Sequence, residues 1–197
     1  LYYFTLAANQ NSMEAQFNLG KIYSEGVYTA RDIKKAIHYF ELAANQNCLR
    51  AQVSLGFIYS DNDLIKPDIY KAIDYFTLAA NQNDVDALFN LGIIYHIGVY
   101  IRRDINKAIH YYTLAANQGY VMAQFNLGNI FFKGQYIAQN IEKAIHYYTL
   151  AADQGFMKAQ VVLGDIYSLG QYVQRDIKKG IKYLTLAAKQ NCIQAQF

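Results

Sequence analysis

The residues of this sequence that could most readily take part in chemistry lie in a short motif, Lys-Ala-Ile-His-Tyr, which the 197-residue chain contains three times. Its histidines, His38, His110 and His146, are metal ligands by type, and its lysines could pair with acidic groups. The two thiols, Cys48 and Cys192, are nucleophiles or disulfide partners by type. Whether these groups can act together depends on the elements that carry them.

A period of 36 residues organises the sequence. Leu-Ala-Ala recurs at this spacing, beginning at Leu6, Leu42, Leu78, Leu114, Leu150 and Leu186. Such periods are typical of solenoids, because one repeat cannot bury its apolar face without a stacked neighbour. Complete repeats span residues 12–47, 48–83, 84–119, 120–155 and 156–191, with partial repeats at 1–11 and 192–197. We expect a single array over 1–197, and a fragment of a longer chain, since both ends fall inside helices.

Each repeat is predicted to fold as two helices. In the first helix, helical spacing places Ala15, Leu19, Ile22 and Tyr23 on one core-facing stripe. The apolar face of the second helix contains Ile33, Ala36, Ile37, Phe40, Ala43 and Ala44. Residues suited to cap its start occupy one slot in every repeat: Asp32, Asp68, Asp104, Asn140 and Asp176.

Glycine and asparagine recur at two structural positions. The second helix is predicted to end at Asn47, Asn83, Gly119, Gly155 and Asn191, residue types that readily adopt the left-handed conformation. Inside the first helix stand Gly20, Gly56, Gly92, Gly128 and Gly164. A glycine there costs roughly 1 kcal/mol relative to alanine. Its return in every repeat predicts a close backbone contact with the neighbouring helix.

The repeat geometry argues against chemistry by the candidate residues. Packed helices lie about 8–10 Å apart, so Cys48 and Cys192, four repeats apart, are predicted not to form a disulfide. Histidines in adjacent repeats are likewise too far apart to share a zinc ion at about 2 Å from each nitrogen. We expect solvated histidines and no catalytic, cofactor-binding or metal-binding residue. We therefore expect no cofactor and no enzyme activity from this segment.

A lysine ladder follows the capping slot by three residues in each repeat: Lys35, Lys71, Lys107, Lys143 and Lys179. We interpret it as surface charge pairing on the second helix. A groove that binds an acidic partner is the alternative.

The composition narrows the classes of partner. The net charge of +3 is spread along the chain without a block of like charges, which argues against a nucleic-acid or membrane surface. No apolar run approaches the roughly 18 residues of a membrane span. Unpaired thiols favour a reducing compartment, so we predict a cytoplasmic location.

The recurring pattern resembles the Sel1-like repeat, a relative of the tetratricopeptide repeat. In the first repeat it comprises Ala15, Leu19, Gly20, Tyr23, Gly26, Asp32, Lys35, Ala36, Tyr39, Ala43, Ala44 and Asn47. The resemblance implies an all-α, right-handed superhelix of antiparallel helix pairs that acts as a scaffold or adaptor. Departures lie in the loops, where tyrosine replaces a frequent second glycine at Tyr28, Tyr100, Tyr136 and Tyr172. Asn62 replaces the first loop glycine of repeat two, whose loop with Pro67 we expect to be shaped differently.

Specificity is expected on the face of the first helix opposite the core. Its positions vary between repeats, except the apolar slot of Phe17, Val53, Phe89, Phe125 and Val161, where packing between repeats is favoured. The middle repeats present an apolar cluster there, which is typical of an interaction site. We predict that a peptide or helix of a protein partner binds to Phe57, Phe89, Ile93, His96, Ile97, Met122, Phe125, Asn129 and Phe132. The alternative is that neighbouring helices cover these side chains.

Two other functions stay open on the sequence. One is an RNA-binding array that reads bases with a series of asparagines, Asn18, Asn90 and Asn126, although Ser54 and Val162 interrupt it and no basic track accompanies it. The other is a structural spacer attached to an enzyme such as a protein kinase.

Overall fold

The computed structural model describes residues 1–60 and 65–194. The chain forms two compact units, residues 1–104 and 105–197, and each is described by itself. The division falls between the two helices of the third repeat. In the described ranges, every regular element is an α-helix.

The described part of unit 1 contains two complete helix pairs between two single helices. Its helices are α1 (Tyr2–Asn9), α2 (Met13–Glu25), α3 (Ile33–Asn45), α4 (Leu49–Ser60), α5 (Ile69–Ala80) and α6 (Val85–Ile97). Within the complete repeats α2 packs on α3 and α4 packs on α5, while α3 and α5 also pack on the helices that follow them. Each helix is therefore held by its neighbours in sequence, as expected of a helical repeat.

Unit 2 repeats the same arrangement. Its helices are α7 (Ile105–Asn117), α8 (Val121–Lys133), α9 (Ile141–Asp153), α10 (Met157–Leu169) and α11 (Ile177–Gln194). The pairs α8 with α9 and α10 with α11 pack most extensively, and α7 and α9 pack on the helices that follow them.

The predicted helix boundaries are confirmed in most repeats. The Oδ1 atom of Asp32 accepts a hydrogen bond from the backbone N–H of Lys35 at 3.0 Å, and Asp68, Asn140 and Asp176 cap their helices in the same way. At the other end the left-handed conformation occurs at Asn11, Asn47, Asn83, Gly119 and Gly155.

One predicted boundary is wrong. Helix α11 does not end at Asn191 but runs to Gln194. The backbone of Asn191 is helical, so the left-handed turn that ends the second helix of the earlier repeats is not formed here.

The core consists of small residues around a few large ones. Leu19, Leu55, Leu91, Leu127 and Leu163 are fully buried, as are the second-helix alanines Ala36, Ala43, Ala72, Ala79, Ala108, Ala115, Ala144 and Ala151. The predicted stripe is thus confirmed at Ala15 and Leu19, while Ile22 and Tyr23 are half-buried.

The first-helix glycines permit a close approach, mostly of a side chain rather than of the predicted backbone. A Cβ atom added at Gly20 would lie 2.5 Å from the ring of Phe40, and one at Gly56 would lie 2.5 Å from Phe76. In unit 2 the Gly128 position meets the ring of Tyr148 at the same distance. The predicted backbone contact is present at Gly164, where an added Cβ would lie 3.4 Å from the carbonyl oxygen of Gly180, beside the Leu184 side chain.

Candidate functional site

The histidine and cysteine side chains that could act as metal ligands or nucleophiles are not clustered. His38, His110 and His146 are exposed, as predicted. Over residues 1–60 and 65–194, no group of three or more His, Cys, Asp or Glu side chains is arranged to hold a metal ion. Cys48 is a buried free thiol, whereas the Cys192 side chain lies outside the described residues.

The lysine ladder makes aromatic contacts in addition to the predicted charge pairing. Lys35 Nζ lies 3.4 Å from Asp32 Oδ2 and also stands 5.2 Å from the centroid of the Tyr23 ring. Equivalent cation–π contacts join Lys71 to Tyr59, Lys143 to Phe131 and Lys179 to Tyr167. These lysines therefore bind intramolecular rings, which disfavours their use as a free basic track.

A hydrogen-bonded cluster around Glu41 distinguishes the first interface between repeats. The carboxylate accepts hydrogen bonds from the hydroxyls of Tyr59 at 3.1 Å and Tyr75 at 3.4 Å. Burial, followed by the negative charge of Glu41, raises the pKa of Tyr59 and of Tyr75 to about 12. Both tyrosines are thus neutral hydrogen-bond donors at ordinary pH, which indicates a packing role.

Unit 1 contains an apolar groove of about 460 Å³ between α5, α6 and the loops beside them. We call it the first groove. It is lined by Ser60, Pro67, Ile69, Phe76, Asn90, Ile93, Ile94, Ile97, Val99, Tyr100 and Ile101. Phe76 is fully buried and forms its floor, whereas Ile97, Val99 and Tyr100 are exposed. An open apolar groove with polar groups at its rim has the character of a binding site.

The candidate residues of unit 1 are only partly brought together. Ile93 and Ile97 line the first groove. Phe57 is 45% exposed and its ring meets the floor residue Phe76 edge-on at 5.3 Å. Phe89 and His96 are half-buried on α6. The three aliphatic and aromatic residues Phe57, Ile93 and Ile97 therefore share the region of the groove.

Unit 2 contains a smaller groove of about 270 Å³, here called the second groove. It is lined by Phe132, Val162, Asp165, Ile166, Leu169, Gln171 and Tyr172. The Phe132 ring is half-buried and packs against Tyr172 at 5.0 Å and Tyr148 at 6.2 Å between ring centroids. The Phe132 ring thus fills part of the second groove.

The other candidates of unit 2 have different surroundings. Phe125 is half-buried between Tyr148 at 5.7 Å and Phe156 at 5.0 Å, in agreement with a packing role. Asn129 Oδ1 accepts a hydrogen bond from the Tyr148 hydroxyl at 2.9 Å. Burial raises the pKa of Tyr148 above its ordinary value. Met122 is exposed at the start of α8.

Long side chains hold the loops beside both grooves. Arg103 donates hydrogen bonds to the backbone carbonyls of His96 at 2.7 Å and Ile97 at 3.1 Å. In unit 2, Gln139 and Arg175 donate in the same way to Phe132 and Ser168. These bonds satisfy carbonyls left without partners at the end of the first helix. They fix the loop that carries the groove-lining tyrosine.

The asparagine series is engaged within the chain. Asn18 donates to the Glu14 carboxylate at 3.3 Å, and Asn90 donates to the Asp86 carbonyl at 2.8 Å. Asn126 interacts with the hydroxyl of Tyr112, which is itself buried. Such bonds are ordinary helix packing rather than a row of amides turned toward a ligand.

The sequence reasoning missed several lining residues of the first groove. Pro67, Val99 and Tyr100 come from loops and reach the groove only because the repeats pack together. Tyr100 departs from the family pattern, and this departure is the sequence feature that could have identified it as a lining residue. It also missed that Glu14, on the same face as the candidates, pairs with Arg50 of the next repeat.

Paired helices that recur every 36 residues and pack on their sequence neighbours define a helical-repeat protein of the α-solenoid class. The model of one family, the Sel1 repeat, matches residues 1–12, 14–48, 49–84, 85–120, 121–156 and 158–192. The chain therefore belongs to the Sel1 repeat family. This family typically mediates protein–protein interactions.

Solved structures support the assignment. A Sel1 repeat protein from Oxalobacter formigenes is 33% identical with a TM-score of 0.74, over 96% of this chain and 78% of that protein. A protective antigen of uropathogenic Escherichia coli with an SLR fold has 27% identity and a TM-score of 0.86; the match covers 96% of this chain but only 40% of the antigen. Helicobacter pylori cysteine rich protein B is 26% identical with a TM-score of 0.51, covering 68% of this chain and 96% of that protein.

No curated protein matches the sequence. Among the described helices, none combines the length and the apolar character that a membrane crossing requires.

Proposed function

We propose that this chain is a non-catalytic protein-interaction module whose first-helix face binds a segment of a protein partner, either an extended peptide or a helix. The nine residues predicted from the sequence remain its candidate contacts: Phe57, Phe89, Ile93, His96, Ile97, Met122, Phe125, Asn129 and Phe132. Among them, Phe57, Ile93 and Ile97 are the principal candidates.

The first groove carries the proposal. Ile97 is 51% exposed beside the half-buried Ile93, in a groove whose floor is apolar. Leaving such a surface in water is unfavourable by about 25 cal/mol for each Å². A partner side chain that covers the groove recovers this free energy.

Two observations favour protein over RNA as the ligand. The asparagines that would read bases bond to the chain itself, as Asn90 does to Asp86. The repeated lysines are stacked on intramolecular rings, as Lys71 is on Tyr59 at 4.8 Å. A role as a spacer beside an enzyme predicts that the isolated chain binds no peptide.

Selection from a phage-displayed library of random 12-residue peptides on the immobilised chain tests the proposal. Binding of the selected peptides is then measured with the variant Ile97→Ser and the control Leu78→Ser. Leu78 is also exposed, but it lies on α5 and outside the groove. We expect Ile97→Ser to weaken binding about tenfold or more and Leu78→Ser to leave it unchanged. Equal binding to all three proteins would contradict the proposal.

A further inference from the structure

The two grooves are built from the same positions of the repeat. Position for position, Asn90, Ile94, Ile97 and Tyr100 of the first groove correspond to Val162, Ile166, Leu169 and Tyr172 of the second. Both grooves are completed by one residue near the end of the preceding first helix. That residue is Ser60 in the first groove and Phe132 in the second.

Among the corresponding positions, this one differs most in side-chain size. In the second groove the Phe132 ring contacts Tyr172 edge-on at a centroid distance of 5.0 Å, and the remaining volume is about 270 Å³. In the first groove Ser60 turns its hydroxyl back to the carbonyl of Phe57 at 3.1 Å, and the groove volume is about 460 Å³. Unit 2 therefore contains an aromatic ring at a position where the described part of unit 1 has only a serine side chain.

The walls of the first groove suit such a ring. Tyr100 is an exposed aromatic wall, so an inserted ring can meet it in edge-on geometry above the buried Phe76. Ile93 and Ile97 supply aliphatic contacts from α6. An aliphatic side chain would fill less of the volume and would gain no aromatic pairing.

Charge also distinguishes the two grooves. The described lining residues of the first groove are uncharged. In the second groove Asp165 occupies the position that Ile93 holds in the first. The first groove therefore has the more apolar lining, which suits the burial of an uncharged ring.

We propose that the first groove binds a protein segment through one aromatic side chain, phenylalanine or tyrosine. This inference rests on the proposed function and specifies the ligand of that site. The ring takes the place that Phe132 fills in unit 2. Specificity comes from Ser60, whose small side chain leaves the space open.

The test uses peptides selected from the same library and remade with the aromatic residue changed to leucine. Affinities are measured by fluorescence anisotropy for the full chain and for Ser60→Phe, which fills the first groove as Phe132 fills the second. The matched control is Ser24→Phe, because Ser24 holds the same repeat position, makes the same hydrogen bond to a carbonyl and does not line the groove. Circular dichroism checks that each variant is folded.

We expect selection to enrich an aromatic residue. Both Ser60→Phe and the change of the ring to leucine should weaken binding about tenfold or more, and Ser24→Phe less than about twofold. Peptides that bind without an aromatic residue, or equally well to Ser60→Phe, overturn the inference while Ile97→Ser still tests the proposed function. If Ser60→Phe does not fold, the leucine peptide decides the question. A chain that binds no peptide overturns both proposals.

Discussion

The side-chain amide of Gln46 donates a hydrogen bond to Oε1 of Gln16 at 2.7 Å, across the interior of the first complete repeat. Gln16 in turn donates to the carbonyl of Ala8 and to Asn11 Oδ1 at the end of the preceding helix pair. The same glutamine pair recurs as Gln82 with Gln52, Gln154 with Gln124 and Gln190 with Gln160. Each pair links the closing turn of a repeat to its own first helix, and the buried glutamine of the first helix reaches the end of the preceding repeat, as Gln16 and Gln52 do.

Replacement of Gln52 tests this link. Gln52→Ala removes the hydrogen bonds of Gln52 with Gln82 and Asn47, although Gln82 still donates to Asn47 Oδ1, so we expect the free energy of unfolding to fall by about 1–3 kcal/mol. Gln52→Leu should cost less, because it leaves no cavity and Leu88 occupies this position naturally in the third repeat. Urea unfolding of the three proteins measures the difference. Wild-type stability for Gln52→Ala would show that the link is not stabilising.

The glycine above Phe76 gives a second prediction. Gly56→Ala gains up to about 1 kcal/mol of helix propensity, but its Cβ would lie 2.5 Å from the buried ring. Overpacking of this kind costs about 1–3 kcal/mol, so we expect a net loss of stability. Thermal unfolding measures it, with Ser54→Ala as a control on the same helix. A Gly56→Ala protein more stable than the wild type would contradict the contact.

The tyrosines around Glu41 predict a pH dependence. The pKa of Tyr59 and of Tyr75 is raised to about 12 in the folded protein, above the ordinary value of 10. Unfolding therefore releases protons between these values, so their contribution to stability is complete below pH 10 and is lost as the pH rises toward 12. The variant Glu41→Thr carries the residue of the other repeats, such as Thr77. It should lower the folded-state pKa of both tyrosines, so the loss still begins near pH 10 but is smaller and ends at a lower pH, which urea unfolding across pH 9–12 would detect.

Removal of the Phe132 ring should open the second groove. The ring is half-buried against Tyr172 and Tyr148, so Phe132→Ser is expected to cost about 1–3 kcal/mol of stability. Leu169→Ser, at an exposed position of the same groove, should cost less than about 1 kcal/mol. Equal losses in urea unfolding would mean that Phe132 does not fill the groove as described.

Most of the fold is predictable from the sequence because the residues that begin, end and bury each helix act on the backbone and the core next to them. Asp32 at the start of a helix and Asn47 at its end act through the backbone next to them, and the buried Leu19 follows from helical spacing. The predicted helix end at Asn191 is wrong, because an asparagine alone does not force the helix to end there. The predicted backbone contact at Gly56 is also wrong, because a missing side chain does not identify the group that fills its space.

The candidate site is predictable only in part. Ile93 and Ile97 lie on a variable face of a helix, which periodicity locates. Pro67 and Tyr100 join them only through packing between repeats and the closure of loops, for which periodicity carries no information. The irregular loop around Asn62 lies outside the described residues, so its predicted shape stays a prediction.

The most direct test of the binding surface is methyl NMR of the chain, labelled at isoleucine, during titration with a selected peptide. Binding in the first groove predicts saturable shifts of the Ile93 and Ile97 methyl signals, while the signal of Ile181, which is exposed on α11, stays in place. Peptide binding that leaves the Ile93 and Ile97 signals unchanged would show that the first groove is not the site of recognition.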